Sequence, residues 1–438
     1  MLGSELKMSI DFESLRENGR INISKGISNG IIHKSEIELE GARNKFWFND
    51  CKYMFKEIFE GSYEDYAELI SSELAKEFGI ECATYDLAIC DGKLGVITKN
   101  FVNEDLGEEL ISGTVIINEV YQMYILPLQE ICAKYFAILD KFNIKDNFSN
   151  IYKFELQTKR KILKQILELI SLLPVDNYTI IGLDNISIEY LSSDELDDIL
   201  FKLNGLFVNV NEMYDIDFMS YKNGIVKANN LFDLWSIMDI YCKINGFNLA
   251  NADDTVKKLS KLFLFDIITS QGDRHTDNWG IIINGSTVKL SPIYDNSNMC
   301  NLNRSKTIKS ISSIIDLLKT SKTKDAKSIR TEKRLKDSIY HQKSSLKVVP
   351  EDVIDRANNL QMINEFMKVS SMEDQNEIFS IIEKLNPTYL ENVFLRIEER
   401  IKAPIPSQIK DIVAKTIEIN VNELLQYIEL KEAKSYGK

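Results

Sequence analysis

The most informative part of this chain is the stretch SQGDRHTDNWGIII at residues 270–283, followed by LSPIYDNSN at 290–298. Within it, Asn278 follows Asp273 by five residues, and Asp295 follows Asn278 by seventeen. Metal-dependent phosphoryl transfer requires such a set, because one carboxylate must face the acceptor hydroxyl while an amide oxygen and a second carboxylate hold Mg²⁺ on the nucleotide phosphates. The spacing of five also matches the catalytic loop of protein kinases. Since Asp and Asn are also ordinary turn residues, the surrounding elements must support this interpretation.

Helical periodicity surrounds this stretch and dominates the chain beyond residue 105, since apolar residues recur there at intervals of three and four. One island differs: Gly280–Leu290 reads as a hairpin that turns at Asn284-Gly285. After residue 351 the pattern is helical again. The predicted helices are Leu128–Phe142, Phe154–Leu173, Ser193–Leu203, Leu231–Asn245 and Asp254–Thr269.

The first hundred residues read mainly as strands, with tight turns expected at Asn29-Gly30 and Asp91-Gly92. One helix interrupts them, beginning near Ser62 and ending at Gly79. The predicted strands are Arg20–Lys25, Ile31–Leu39, Lys45–Phe48, Lys52–Lys56, Cys82–Cys90 and Lys93–Phe101. This order favours a small sheet with one helix packed on it.

Composition excludes several classes of protein. The 438 residues are 44% hydrophobic and carry a net charge of −13, which argues against bulk attraction to nucleic acid. No apolar run approaches the roughly 18–20 residues that cross a bilayer, and the N-terminus lacks the apolar core of a signal peptide. The six cysteines are scattered without a CxxC pair, which argues against a disulfide framework and a structural zinc site. We expect a soluble cytoplasmic protein.

A basic segment at 304–347 contrasts with this acidic composition. It holds thirteen Lys or Arg residues against four Asp or Glu. Such a segment is typical of a solvated loop with helical pieces. The alternative is a docking surface for an acidic partner or for RNA phosphates, and we expect it to help recruit the substrate through Lys319, Lys322, Lys324 and Lys327.

The N-terminal region offers the groups that would complete a nucleotide site. A kinase needs a loop over the phosphates, a strand lysine that contacts them and a helical glutamate that pairs with this lysine. The segment Gly41-Ala42-Arg43-Asn44-Lys45 lies between two predicted strands, and Lys56 ends the next strand. Glu68 and Glu73 both lie on the following helix, and the sequence by itself does not choose between them.

The chain resembles the HipA-like serine/threonine kinases, the toxin kinases of bacterial toxin–antitoxin systems, over residues 35–300. The resemblance rests on GARNK at 41–45, AELISSELAKEFGIECATYDLA at 67–88, GDRHTDN at 272–278 and SPIYDN at 291–296. It implies an α+β, two-lobed, protein-kinase-like fold, with a β-rich nucleotide-binding lobe at 1–105 and a helical lobe at 106–438 that carries the catalytic loop at 270–300.

The resemblance also implies roles for individual residues. It makes Asp273 the catalytic base and favours Glu68 over Glu73 as the partner of Lys56, the nucleotide lysine. It makes Asn278 and Asp295 the Mg²⁺ ligands. The remaining ATP-binding residues would be Gly41, Ala42 and Lys45 in the phosphate loop and Lys99 and Phe101 near the base.

A protein substrate phosphorylated on Ser or Thr follows from the same resemblance, with the translation machinery, such as an aminoacyl-tRNA synthetase or another tRNA-associated protein, as precedent. Fuller family members carry an extra N-terminal subdomain, whereas only about forty residues precede Gly41 here. We therefore expect that an antitoxin or this subdomain is a separately encoded partner. Some relatives carry a regulatory serine just before the loop glycine, but this chain has Glu38-Leu39-Glu40 there.

Two other interpretations stay open. The GDRHTDN loop also resembles that of phosphatidylinositol kinases, in which the histidine assists transfer, so His275 is a further catalytic candidate and a lipid or small-molecule kinase is the alternative. The other interpretation is a non-catalytic nucleotide-binding partner in a toxin–antitoxin or defence system.

Overall fold

The computed structural model describes residues 10–36, 43–172, 188–213, 231–249, 252–320, 330, 333, 335–336, 343–348, 355–358 and 371–435. In these residues the helices are α1 Ile23–Ser28, α2 Glu64–Glu77, α3 Gly113–Val120, α4 Leu126–Lys141, α5 Leu156–Ile170, α6 Ser193–Met213, α7 Leu231–Asn245, α8 Ala252–Ile268, α9 Ser305–Thr320, α10 Met372–Lys384, α11 Pro387–Ile401 and α12 Ser407–Ser435. The strands are β1 Arg16–Glu17, β2 Arg20–Asn22, β3 Lys45–Phe48, β4 Tyr53–Glu57, β5 Tyr85–Cys90, β6 Lys93–Lys99, β7 Glu108–Ser112, β8 Asn248–Leu249, β9 Gly280–Asn284, β10 Thr287–Leu290, β11 Lys343–Val348 and β12 Asp355–Asn358. The predicted α+β class is confirmed: the N-terminal part is β-rich and the larger remainder is mainly helical.

A six-stranded sheet forms most of the N-terminal region, in the order β1-β2-β5-β6-β4-β3. Side chains of β3 alternate between its two faces: Phe46 and Phe48 are buried in the core of this region, while Lys45 and Trp47 are half-buried on the other face. The expected hairpin at Asp91-Gly92 is confirmed, since both residues have positive φ and Cys90 pairs with Lys93 across the turn.

The expected hairpin at Asn29-Gly30 is wrong. Asn22 ends β2 and its side chain accepts the N–H of Lys25 at 3.0 Å, which starts helix α1 instead of extending the strand to Lys25. Gly30 then follows the helix with φ +67°, the usual glycine conformation at a helix end. In place of the predicted strand Ile31–Leu39, the described residues 31–36 contain one isolated antiparallel bridge, between Lys34 and Phe48. Residues 37–39 lie outside the described part.

A second sheet carries the predicted hairpin of the catalytic stretch. Strands β9 and β10 pair antiparallel around Asn284-Gly285, as expected, within the order β7-β9-β10-β8. The strand β7 was not predicted from the sequence, and it pairs Ser112 with Gly280 at the start of β9. A Cβ at Gly280 would collide with the carbonyl of Ile111, so the close approach of these strands requires glycine.

The chain divides into two compact units by its packing. One comprises residues 1–113, 227–236 and 248–438 and holds both of these sheets; the other comprises residues 114–226 and 237–247. In the second unit, helices α4, α5 and α6 bury an apolar cluster that includes Tyr135, Ile166 and Leu200. The division at residue 105 that the resemblance implies stays a prediction.

The basic segment 304–347 begins with a helix. Helix α9 covers its first part, and Lys319 near the end of α9 forms an ion pair with Asp411 of α12 at 2.6 Å. Lys322, Lys324 and Lys327 lie outside the described residues. In the described part of the chain, no helix combines the length and apolarity that membrane crossing demands.

Candidate active site

A cleft of about 1110 Å³ lies in the first unit, where residues of the N-terminal sheet, the 273–278 loop and the segment around Asp295 line it together. Eight of the residues predicted to act in catalysis or binding line it: Lys45, Lys56, Lys99, Phe101, Asp273, His275, Asn278 and Asp295. Glu68 lies directly behind Lys56, whereas Gly41 and Ala42 lie outside the described residues. The structure therefore brings together residues that are distant in the sequence.

Strand register explains why four residues from four strands share the sheet side of the cleft. Trp47 pairs with Met54, Met54 with Thr98, and Thr98 with Tyr85, so the four side chains form one row across β3, β4, β6 and β5. All four line the cleft. The neighbouring pair Lys45 and Lys56 adds two cations to the same face, because side chains two residues apart on a strand point the same way.

Lys56 contacts two carboxylates, one that lines the cleft and one that lies behind it. Its Nζ donates to Asp295 Oδ1 at 2.7 Å and to Glu68 Oε1 at 3.4 Å. The side chain of Lys56 is 12% exposed and that of Glu68 is 1% exposed. Burial would lower the pKa of Lys56, but the two carboxylates outweigh it and raise that pKa above its usual value. The ammonium group therefore stays charged in the fold.

The structure decides between the two glutamates of helix α2. Glu68 pairs with Lys56, and its other oxygen accepts the backbone N–H of Asn296 at 2.8 Å. Glu73 instead pairs with Arg400 and Lys76, outside the cleft. Desolvation by burial raises the pKa of Glu68 to about 7, partly offset by Lys56. Glu68 thus connects the strand lysine to the segment that carries Asp295.

Asp295 adopts an unusual backbone conformation, with φ of +52°, which turns the chain sharply after β10. Its backbone N–H donates to the hydroxyl of Tyr85 at 3.1 Å, and Gln271 Nε2 donates to its carbonyl at 3.3 Å. Ser297 Oγ donates to the same carboxylate oxygen as Lys56, at 3.0 Å. Burial favours the neutral acid, yet Lys56 and Ser297 hold the pKa of Asp295 well below its usual range, so the group is an anion.

The loop between α8 and β9 fixes Asn278 beside Asp273. Asn278 Nδ2 donates to the carbonyl of Asp273 at 2.7 Å, so the oxygen of this amide is the atom left for a cation. His275 is 45% exposed at its side chain; its Nε2 lies 3.2 Å from Asn278 Nδ2, and its Nδ1 accepts the N–H of Asp277 at 3.2 Å. The imidazole therefore contacts the side-chain amide of Asn278, whose oxygen is the proposed metal ligand.

Sequence reasoning missed Arg274, which is fully buried under the loop. Its guanidinium forms two hydrogen bonds with Asp266 of helix α8, at 2.8 and 3.1 Å. It also donates to the carbonyls of Asn278 and Tyr294 and to Asn296 Oδ1. One side chain thus fixes the positions of helix, catalytic loop and Asp295 segment. The signal in the sequence was Asp266, a lone acid in the apolar helical run KLFLFDII.

The donor set fits a magnesium ion that is shared with a nucleotide. In the described part of the chain, no group of three or more His, Cys, Asp or Glu side chains is arranged to hold a metal ion by itself. Asp295 and Asn278 supply one carboxylate and one amide oxygen. Mg²⁺ prefers such oxygen ligands and in kinases completes its shell with substrate phosphates and water.

Comparison with known proteins gives two structural likenesses. The chain aligns with a Helicobacter pylori proinflammatory kinase, CtkA, at 13% identity and a TM-score of 0.44, covering 93% of this chain and 99% of that one. It aligns with HipA from a Shewanella oneidensis complex of HipA, HipB and operator DNA at 10% identity and a TM-score of 0.43, covering 93% and 70%. No protein-family model and no curated protein sequence matches the chain. At such low sequence identities and TM-scores, these likenesses assign no activity to the chain.

Proposed function

We propose that this protein is an ATP- and Mg²⁺-dependent kinase. The observation that carries the proposal is the convergence of Lys56, Asp273, Asn278 and Asp295 on one cleft, with Glu68 paired to Lys56. A strand lysine held by a helical glutamate, a loop Asp and Asn five residues apart and a further Asp are the parts that kinases use. The cleft volume of about 1110 Å³ is of the size that holds a ligand larger than most drugs.

The residues divide the reaction between them. The hydroxyl oxygen of the acceptor attacks the γ-phosphorus of ATP while Asp273 accepts the proton of that hydroxyl. The bond from the γ-phosphorus to the β–γ bridging oxygen breaks, and ADP leaves. Lys56 contacts the phosphates, and Glu68 holds its ammonium group in position. Asn278 and Asp295 would hold Mg²⁺, which when bound neutralises charge on the phosphate oxygens.

The rest of the nucleotide would lie along the sheet side of the cleft. Phe101 stacks on Tyr294 with ring centroids 5.5 Å apart, and both line the cleft beside Lys99, which is where we place the base. Lys45 lies next to Lys56 across the β3–β4 pair, close to the strand end from which the segment with Gly41 and Ala42 departs. We assign Gly41, Ala42 and Lys45 to the phosphate loop.

The proposed acceptor is a Ser or Thr of a cellular protein, as in HipA-like toxin kinases. The motifs quoted above support this assignment, and they point to the translation machinery, with an aminoacyl-tRNA synthetase or another tRNA-associated protein as the candidate class. An antitoxin is the proposed partner. We place the enzyme in the cytoplasm.

The test begins with radiolabelled ATP. The wild-type protein is incubated with Mg²⁺, [γ-³²P]ATP and a cell extract, beside Asp273→Ala, and label on protein, lipid and small molecules is separated. We expect more labelled Ser or Thr in the wild-type sample than in the Asp273→Ala sample, which measures transfer by other kinases of the extract; phosphoproteomics after induced expression of both versions then names the substrate. Label on lipid would favour the phosphatidylinositol-kinase interpretation and a catalytic His275, and nucleotide binding without transfer would leave a non-catalytic partner.

A further inference from the structure

Helix α2, which carries Glu68, is held by five basic residues from four other parts of the chain. Five of its acidic side chains each pair with a different cation. The pairs are Glu64 with Arg43 at 2.7 Å, Asp65 with Arg20 at 2.6 Å, Glu68 with Lys56 at 3.4 Å, Glu73 with Arg400 at 2.5 Å and Glu77 with Arg396 at 2.8 Å. The position of Glu68 therefore depends on how these ion pairs hold the helix.

Two of these pairs attach α2 to the C-terminal helix α11. Arg396 and Arg400 are four residues apart on α11, and their partners Glu77 and Glu73 are four residues apart on α2 in the opposite order. Residues four apart lie on the same face of a helix, so the two pairs form two rungs between antiparallel helices.

Arg400 differs from Arg396 because its second contact is with a residue that lines the cleft. Its Nη2 donates to the backbone carbonyl of Tyr85 at 3.2 Å, and the hydroxyl of this tyrosine accepts the N–H of Asp295 at 3.1 Å. One guanidinium therefore binds both the helix that carries Glu68 and the residue that supports Asp295. Its planar fork of donors suits such a double contact, which the single ammonium of lysine reproduces only in part.

We propose that Arg400 is a positioning residue for phosphoryl transfer, which fixes helix α2 and Tyr85 so that Glu68, Lys56 and Asp295 keep their mutual distances. This inference rests on the kinase activity proposed above. A displacement of about 1 Å at a reacting centre can cost on the order of 100-fold in rate. The Arg400 side chain is 33% exposed, whereas that of Glu73 is 10% exposed, so losing Arg400 leaves a mostly buried carboxylate with Lys76 as its remaining ion-pair partner. We therefore expect some loss of stability beside the loss of turnover, and the double variant with Glu73→Gln separates the two because it leaves no buried charge.

The experiment measures ADP formation from Mg²⁺·ATP, with water as the acceptor, in the full-length protein. We expect Arg400→Gln to lower kcat roughly tenfold with a smaller change in KM for ATP, Glu73→Gln to do the same, and the double variant to lose no more than either one, since both remove the same contact. Arg400→Lys should recover part of the loss. The matched control is Lys410→Gln, which removes a cation that binds Glu398 of α11 at 2.8 Å without touching α2.

Each other outcome has a defined meaning. Three results would overturn the positioning role. An unchanged kcat in Arg400→Gln, or losses that add in the double variant, would show that the two residues are not coupled. An equal loss in Lys410→Gln would indicate general destabilisation, which the melting temperatures of all variants identify. If the wild type forms no more ADP than Asp273→Ala and also labels no protein in the radiolabelled assay, the proposed kinase activity itself fails, which is a different result from an active wild type with an equally active Arg400→Gln.

Discussion

Lys56 Nζ lies 2.7 Å from Asp295 Oδ1, although 239 residues separate the two in the sequence. The pair joins a strand of the N-terminal sheet to the segment after the β9–β10 hairpin. Lys56 holds the pKa of Asp295 below its usual range, so the Asp295 carboxylate is charged near neutral pH. A charged carboxylate is the form that binds a cation. In the proposed reaction, this pair would hold one group for the phosphates and one for the metal.

Replacing the two aspartates should separate their roles. We expect Asp273→Ala and Asp295→Ala each to abolish phosphoryl transfer, with a loss on the order of 100-fold or more. Only Asp295→Ala should lower Mg²⁺-dependent ATP affinity, because Asp295 would be the direct metal ligand whereas Asp273 faces the acceptor. Calorimetric titration with ATP, with and without Mg²⁺, measures this difference.

The control for this pair is Asp277→Ala, which removes an equal charge from the same loop at a side chain that is 64% exposed. It should bind ATP like the wild type. Equal loss of nucleotide binding in Asp273→Ala and Asp295→Ala would show that the assigned roles are wrong.

Glu68 should give the stability of the fold a specific pH dependence. Its pKa is about 7 in the folded protein against a usual 4.5, so between these values the unfolded chain has released a proton that the fold retains. The free energy of unfolding must then fall as pH rises through this window and level off above it. Glu68→Gln should remove this part of the slope; urea unfolding of both proteins between pH 4.5 and 7.5 tests it, and identical slopes would contradict it.

Removing Arg274 should destabilise the whole fold. Arg274→Met leaves Asp266 buried and unpaired, and breaking a buried ion pair in this way costs about 3–5 kcal/mol. The double variant Arg274→Met/Asp266→Leu should regain part of that stability, since no buried charge remains, but should stay inactive because the carbonyls of Asn278 and Tyr294 lose their donor. Urea unfolding and an ATP assay of both variants separate the two effects, and an active double variant would contradict the positioning of the loop by Arg274.

Autophosphorylation near the phosphate loop should not silence this enzyme. Residues 38–40 carry no hydroxyl, and Ser35, the nearest one before Gly41, has its backbone N–H bonded to the carbonyl of Trp47 at 2.8 Å. We expect no stoichiometric phosphate on Ser35 after incubation with ATP. Intact mass measurement and peptide mapping check this, and full occupancy of Ser35 with loss of activity would refute it.

Local features were predicted well because they depend on neighbours in the sequence. The Asp91-Gly92 and Asn284-Gly285 hairpins and helix α7 at Leu231–Asn245 form as expected, since turn chemistry and apolar periodicity are local properties. The Asn29-Gly30 hairpin failed for a competing local reason, the capping of α1 by Asn22. The strand β7 escaped notice because its partner, β9, lies far along the chain.

Residue types and spacing identified the candidate residues: the Asp, Asn and Asp of the 270–298 stretch, the strand lysine and two glutamates of the following helix. Which of them lie in contact depends on the tertiary structure. It chose Glu68 over Glu73, because only Glu68 reaches Lys56, and it revealed Arg274 and Arg400, whose partners lie on other elements. Residue type fixes what chemistry a side chain can perform, but a direct ion pair requires N and O atoms within about 4 Å of each other, and only the folded chain sets those distances.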